Sequence, residues 1–236
     1  MKKFLDELTL ADDLIFEKVM SDVNFAKILL QRIIGCRIKE ITKHITQRVN
    51  DNGPEIHGSR FDVWTVGDSK HYDIEMQRFG SCGFQDQQRL LRRARYYEGE
   101  LNHIGFKPGM DYTELHDSIV IFICMFDPFG DGLAQYTEDC RIRENGRQIY
   151  NGRFITYLNA MFRHDNVSSE LSSFLRYLRD PTYVSESTDD FIHTADVRVR
   201  ALRGDFEFRG EYMSYLEKLE ERERLGAHKE RGKSRC

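Results

Sequence analysis

Apolar residues recur along this chain with three rhythms, and each predicts a different kind of element. From Thr9 to Ile34 the spacing is helical, in two pieces. Leu10, Leu14, Ile15 and Val19 share a stripe, with Thr9 as the expected N-cap and Asp12 and Asp13 in the first turns. Asn24 restarts the helix, Ile28, Leu29 and Ile33 carry its stripe, and Gly35 is placed to end it. Over Ile41 to Val49 the rhythm changes to period two, a strand with Ile41, Ile45 and Val49 on one face. A polar loop, Asn50 to Ser59, leads to two further strands, Arg60 to Val66 and His71 to Gln77. Gly67-Asp68-Ser69-Lys70 between them is short and rich in turn formers, so the two strands make a hairpin.

Gln85 to His103 reads as a helix with a basic face from Arg89, Arg92, Arg93 and Arg95. Ile119 to Phe126 is the longest apolar run, far too short to span a bilayer, and predicts a central strand. Tyr136 to Asn145 and Arg147 to Asn159 flank an Asn-Gly pair, a second hairpin signal. Beyond Asn159 the pattern is helical. Leu171, Phe174, Leu175 and Leu178 form a stripe closed by Pro181, and Asp189 to Arg203 and Glu207 to Arg224 predict two more helices. These elements predict an α/β core over residues 1–162, a helical C-terminal extension over 163–225 and a polar, basic tail over 226–236. The core is expected to be a mixed sheet with the first helix and the arginine-rich helix packed on it. The extension either covers one side or builds a contact in a homodimer.

Composition narrows the class. Of the 236 residues, 40% are hydrophobic and 12% aromatic, which supports a real core, and 31% are charged. The net charge of −4 argues against a nucleic-acid coat protein but allows an enzyme with acids at its centre and a local basic rim. The five cysteines are scattered without a Cys-x-x-Cys, so neither a disulfide framework nor a zinc ribbon is indicated. Asp6 and Glu7 stand where a signal peptide would have its apolar run, so a cytoplasmic location is expected. No histidine pattern suited to zinc and no glycine-rich phosphate loop is present.

Candidate chemistry lies in the first hairpin. If Val66 pairs with His71, Asp62 falls opposite Glu75, with Gln77 on the Glu75 face and Phe61, Val63, Ile74 and Met76 turned the other way. Opposed side chains stand roughly 5 Å apart. Two carboxylates at that separation repel unless a cation lies between them, and oxygen ligands suit a hard divalent ion such as Mg²⁺. Gln77 is neutral and cannot be a general base; it would orient a water or a phosphate. On spacing alone, the same residues also describe an ordinary solvated hairpin face.

Several segments resemble, in order and spacing, the PD-(D/E)XK nuclease family transposases, also called recombination-promoting nucleases. They are Asp12-Asp13-Leu14-Ile15-Phe16, Arg60-Phe61-Asp62-Val63, Asp73-Ile74-Glu75-Met76-Gln77, Arg93-Ala94-Arg95-Tyr96-Tyr97, Ile121-Phe122-Ile123-Cys124 with Phe126-Asp127, and Phe174-Leu175-Arg176-Tyr177-Leu178. The resemblance implies a restriction-endonuclease-like fold and Mg²⁺-dependent cleavage of DNA, linked to recombination or transposition. It implies catalytic roles for Asp62, Glu75 and Gln77, with Asp13 as the acid from the first helix and the Met76 carbonyl as a further metal ligand beside Asp62 and Glu75. Gln77 takes the place of the usual Lys, as is typical of this branch. Asp13 is also explained by helix-dipole stabilisation. Arg92 and Arg93 would contact phosphates with Tyr96 beside them, although the arginines equally describe a solvated helix face. Two rival readings stay open: a decayed, catalytically silent nucleic-acid- or protein-binding module on the same fold, and a structural helical module that assembles through its C-terminal half.

Overall fold

In a computed structural model, described over residues 4–50 and 59–217, the chain is a mixed α/β protein with a six-stranded sheet flanked by helices. Helices α1 (Asp13–Met20) and α2 (Val23–Ile34) precede strands β1 (Ile41–Asn50), β2 (Ser59–Gly67) and β3 (Lys70–Gln77). Helix α3 (Phe84–Gly105) then leads to β4 (Asp117–Cys124), β5 (Gln135–Thr137) and β6 (Arg153–Asn159), and α4 (Ser169–Arg179), α5 (Asp190–Gly204) and helical residues 206–217 follow. The strand order is β1-β2-β3-β4-β6-β5. β1, β2 and β3 form an antiparallel meander, β3–β4 and β4–β6 are parallel, and β5 adds antiparallel to β6. The expected loop between β1 and β2 and the end of the chain, including the tail from Gly226, lie largely outside the described residues. Among the described residues, no helix is long and apolar enough to cross a membrane.

Each face of the sheet has its own apolar cluster. On one, Val63, Ile74, Met76, Ile121, Ile123 and Leu158 pack with α1, α2, α4 and α5 and with Phe208 and Tyr212. The C-terminal helices thus cover this face and share one core with the first two. On the other face, Leu90, Ala94, Tyr97 and Leu101, spaced at whole turns of α3, pack on Trp64, Val120, Phe122 and Tyr157. Gly99 does not interrupt α3, which runs on to Gly105.

The helix starts differ from those expected. α1 begins at Asp13 with Asp12 as N-cap, because the Asp12 carboxylate turns back to accept the N–H and hydroxyl of Thr9 at 2.7 and 3.1 Å. α2 is capped by Asp22, which accepts from the N–H groups of Asn24 and Phe25, and ends at Gly35 in the left-handed region at φ +69°. The Asn145-Gly146 turn exists, but strands survive only at the base of that excursion. Residues 143–151 are exposed, so no buried face holds them in period two.

The β2–β3 hairpin has the expected register: Gly67 pairs with Lys70, Val66 with His71 and Val63 with Ile74. Asp68 and Ser69 both sit at positive φ, +50° and +57°, the backbone of a type I′ turn. Asp68 is tied down, because its carboxylate accepts the N–H groups of Lys39 and Glu40 at 2.8 and 3.0 Å. Among the described residues no such contact holds Ser69, which bears the left-handed strain. Ser69→Gly should therefore stabilise the chain by about 0.5–1 kcal/mol. A melting temperature raised by roughly 2 °C is expected; an unchanged or lower one would show that the turn is not strained.

Candidate active site

The site forms where the β2–β3 ladder stops. Val63–Ile74 is the last backbone pair, and the next positions in the register are Asp62 and Glu75. There the side chains replace the ladder: the Asp62 N–H donates to Glu75 Oε1 at 2.9 Å, and the Met76 N–H donates to Asp62 Oδ2 at 3.0 Å. The strand turns as it does so. Phe61 was expected to share a face with Val63, but it packs with Trp64 and Tyr97 on the α3 side, its ring 5.3 Å from that of Tyr97. On the neighbouring strand, Gln47 stands across from Asp62 at φ +50°. Both strands are irregular at the same level, so Asp62 is turned out of the regular alternation.

Asp62 opens into a cleft of about 380 Å³ lined by Asp13, Glu17, Gln47, Met76, Gln77, Arg78, Phe79, Arg93, Tyr97 and Tyr215. Asp13, Asp62, Met76, Gln77 and Arg93, all singled out from the sequence, line this cleft, and Glu75, fully buried, lies behind it in contact with Arg93. Arg92 and Tyr96 do not line it. Arg92 is exposed elsewhere on α3, and half-buried Tyr96 lies outside the lining, the α3 aromatic in the cleft being Tyr97. Arg89 and Arg95 are likewise exposed, so Arg93 alone of the four arginines turns inward.

Arg93 organises the floor of the cleft. It donates to Glu75 Oε2 at 2.5 Å, to Gln77 Oε1 at 3.0 Å and to the Tyr97 hydroxyl at 2.8 Å, and its guanidinium lies 4.9 Å from the Tyr97 ring centre. Gln77 Nε2 in turn donates to the Met76 carbonyl at 3.1 Å. Burial first, and the Glu75 charge next, push the Tyr97 hydroxyl above its ordinary range, so it stays a neutral hydroxyl.

Four features escaped the sequence reading. Glu17 lines the wall and accepts a hydrogen bond from Gln47 Nε2. Tyr215, from helical residues 206–217, donates to Asp13 Oδ2 at 3.1 Å and closes one side. Tyr97 supplies the aromatic wall beside Arg93. Asp73, two residues before Glu75 on the same face of β3, is fully buried. Only Asp73 carried a signal in the sequence, since a strand Asp with period-two spacing to Glu75 must share its face.

Asp73 and Glu75 titrate as a pair. Burial, then the Glu75 and Asp62 charges, hold the Asp73 carboxyl well above the carboxylate range. Burial, then the Asp62 charge, raise Glu75 to about 8 while Arg93 pulls it down. The close Arg93 contact favours an ionised Glu75, so the proton belongs on Asp73. No side chain among the described residues stands at hydrogen-bond geometry to either Asp73 oxygen, and the carboxyl it interacts with is that of Glu75. A native chain that keeps a proton the unfolded chain releases loses stability as pH rises above the ordinary Asp range. Asp73→Asn retains volume and a donor but removes the acid, and should stabilise by about 1–3 kcal/mol near neutral pH. Its melting advantage over wild type should widen from pH 5 to pH 8; an advantage that is absent or constant would place the proton elsewhere.

The donor set is hard: the Asp62 and Glu75 carboxylates with the Met76 carbonyl. Among the described residues, no group of three or more His, Cys, Asp or Glu side chains is arranged to hold a metal ion. Hard oxygens of this kind are the donor type taken by an ion such as Mg²⁺, which keeps several waters and binds through one or two carboxylates plus substrate phosphate. The set here does not make an all-protein cage. Comparison with protein-family models, with curated proteins and with solved structures returns no match.

Proposed function

We propose that this chain is a divalent-metal-dependent DNA endonuclease of the PD-(D/E)XK type, acting in recombination or transposition. The observation that carries the reading is the opposition of Asp62 and Glu75 at the end of the β2–β3 ladder, with Asp62, Gln77 and Arg93 lining one cleft and Glu75 held beneath it by Arg93. The mixed sheet and the helix with its inward arginine support it, as does agreement with the segments that resemble the family.

In this reading Asp62 and Glu75 hold the metal, with the Met76 carbonyl as a third ligand. A bound Mg²⁺ supplies an activated water and neutralises charge on the phosphodiester under attack. Gln77 orients the water or a phosphate oxygen through its amide and moves no proton. Arg93 offers the planar donor fork that suits a phosphate. The neutral Tyr97 hydroxyl adds a donor beside it. Asp13, held by Tyr215, places a further carboxylate on the cleft wall.

The direct test is nicking of supercoiled plasmid with Mg²⁺, with Ca²⁺ and with EDTA. Cleavage in Mg²⁺ that EDTA stops is the expected result. One observation favours a second reading, a silent DNA- or protein-binding module: the Arg93 guanidinium already balances Glu75. DNA retention without cleavage under Mg²⁺, Mn²⁺ or Ca²⁺ would support that reading instead.

A further inference from the structure

Two of the three groups that the proposed metal site needs are already engaged, and a single side chain accounts for both. Glu75 Oε2 is held by Arg93 at 2.5 Å. The Met76 carbonyl is held by Gln77 Nε2 at 3.1 Å. That amide is oriented in turn because its oxygen accepts from Arg93 at 3.0 Å. One guanidinium therefore covers one ligand directly and a second through Gln77. The other arginine lining the cleft, Arg78, is committed elsewhere, at 2.9 Å from the Asp12 carboxylate. Arg93 is not sealed in: its side chain is 37% exposed, whereas Glu75 is fully buried, so the arginine is the partner that can leave.

We propose that Arg93 is the resident counter-cation of the acid pair, and that a divalent ion binds tightly only as the guanidinium leaves Glu75 for a phosphate of the incoming DNA. The inference rests on the metal-site reading above. A cation and a guanidinium cannot both take Glu75 Oε2, so binding of one opposes the other. A phosphate offers the departing fork a bidentate partner of equal quality. Metal loading and DNA binding are then positively coupled, and the chain alone holds metal weakly. Arg93 is a positioning residue in this scheme: it sets when the ligands become available.

The test is Ca²⁺ binding by isothermal titration calorimetry, without DNA, on wild type, R93M, R93K, R78M and D62N. R93M removes the competing charge and should bind Ca²⁺ more tightly than wild type by about tenfold or more, a typical size of coupling between sites. R93K keeps the charge but cannot span Glu75 and Gln77 together, so it should fall between the two; it also serves if R93M does not fold. R78M should gain less than either, which separates displacement at Glu75 from a general change in field. Ca²⁺ binding by wild type that D62N abolishes, with no gain in R93M or R93K, overturns the role of Arg93 and leaves the metal site standing. A gain in R78M equal to that in R93M also overturns it. No Ca²⁺ binding by wild type, R93K or R93M removes both the role and the site.

Discussion

Asp62→Asn should lower plasmid cleavage by roughly a thousandfold or more while leaving the fold intact. Asp62 is half-buried at the lip of the cleft, and its Oδ2 accepts the Met76 N–H. An asparagine oxygen can still accept that bond, so the hairpin end keeps its shape. The loss is the negative charge at the metal. Stabilisation of developing charge by a bound divalent ion is worth several kcal/mol, and each 1.36 kcal/mol is about a tenfold change in rate. Circular dichroism of the variant should match wild type. Cleavage within about tenfold of wild type would remove Asp62 from the chemistry.

The largest effect on stability is expected from Arg93→Met. The substitution leaves Glu75, fully buried, without its guanidinium. Breaking a buried ion pair by removing one partner costs about 3–5 kcal/mol. Arg93 is more than a third exposed and solvent screens its side of the pair, so the lower end, about 3 kcal/mol, applies. The sign of the pH dependence follows from Glu75, whose ionised form Arg93 favours. Without the guanidinium the buried Glu75 holds a proton to higher pH, and at low pH that proton removes the uncompensated charge, so the deficit shrinks. As pH rises the charge must be borne without its partner and the deficit grows. Urea melts at pH 6 and pH 9 measure this; a deficit that is larger at pH 6 would contradict the assignment.

Local pattern made the hairpin legible. Gly67-Asp68-Ser69-Lys70 dictated the turn, the turn set the register, and the register set Asp62 against Glu75. The α3 stripe of Leu90, Ala94, Tyr97 and Leu101 was legible for the same reason: one periodicity and one buried face. What stayed hidden depends on contacts between distant elements. Four arginines on one helix look alike in sequence. Only packing against β3 shows that Arg93, one turn before Tyr97, lies at the edge of the buried stripe and meets Glu75, while Arg89, Arg92 and Arg95 stay in water. Asp13 and Tyr215 lie 202 positions apart, so no window joins them. The turn of Phe61 to the α3 face comes where pairing with β3 ends at Val63 and the β1 partner Gln47 takes positive φ, which simple alternation cannot anticipate.

The central claim, that Asp62 and Glu75 hold a divalent ion, is tested most directly by thermal melting of wild type and Asp62→Asn with and without Mg²⁺. A ligand that binds only the folded chain stabilises it by about 2.7 kcal/mol at a hundredfold excess over Kd. In a chain of this size that corresponds to roughly 5–10 °C. The account predicts that Mg²⁺ raises the wild-type melting temperature by several degrees and leaves the variant nearly unmoved. It also predicts that, without metal, the variant melts at or slightly above wild type, because repulsion toward Glu75 is gone. Equal Mg²⁺ shifts in the two proteins, or none in wild type even at concentrations well above those that saturate cleavage, would contradict it.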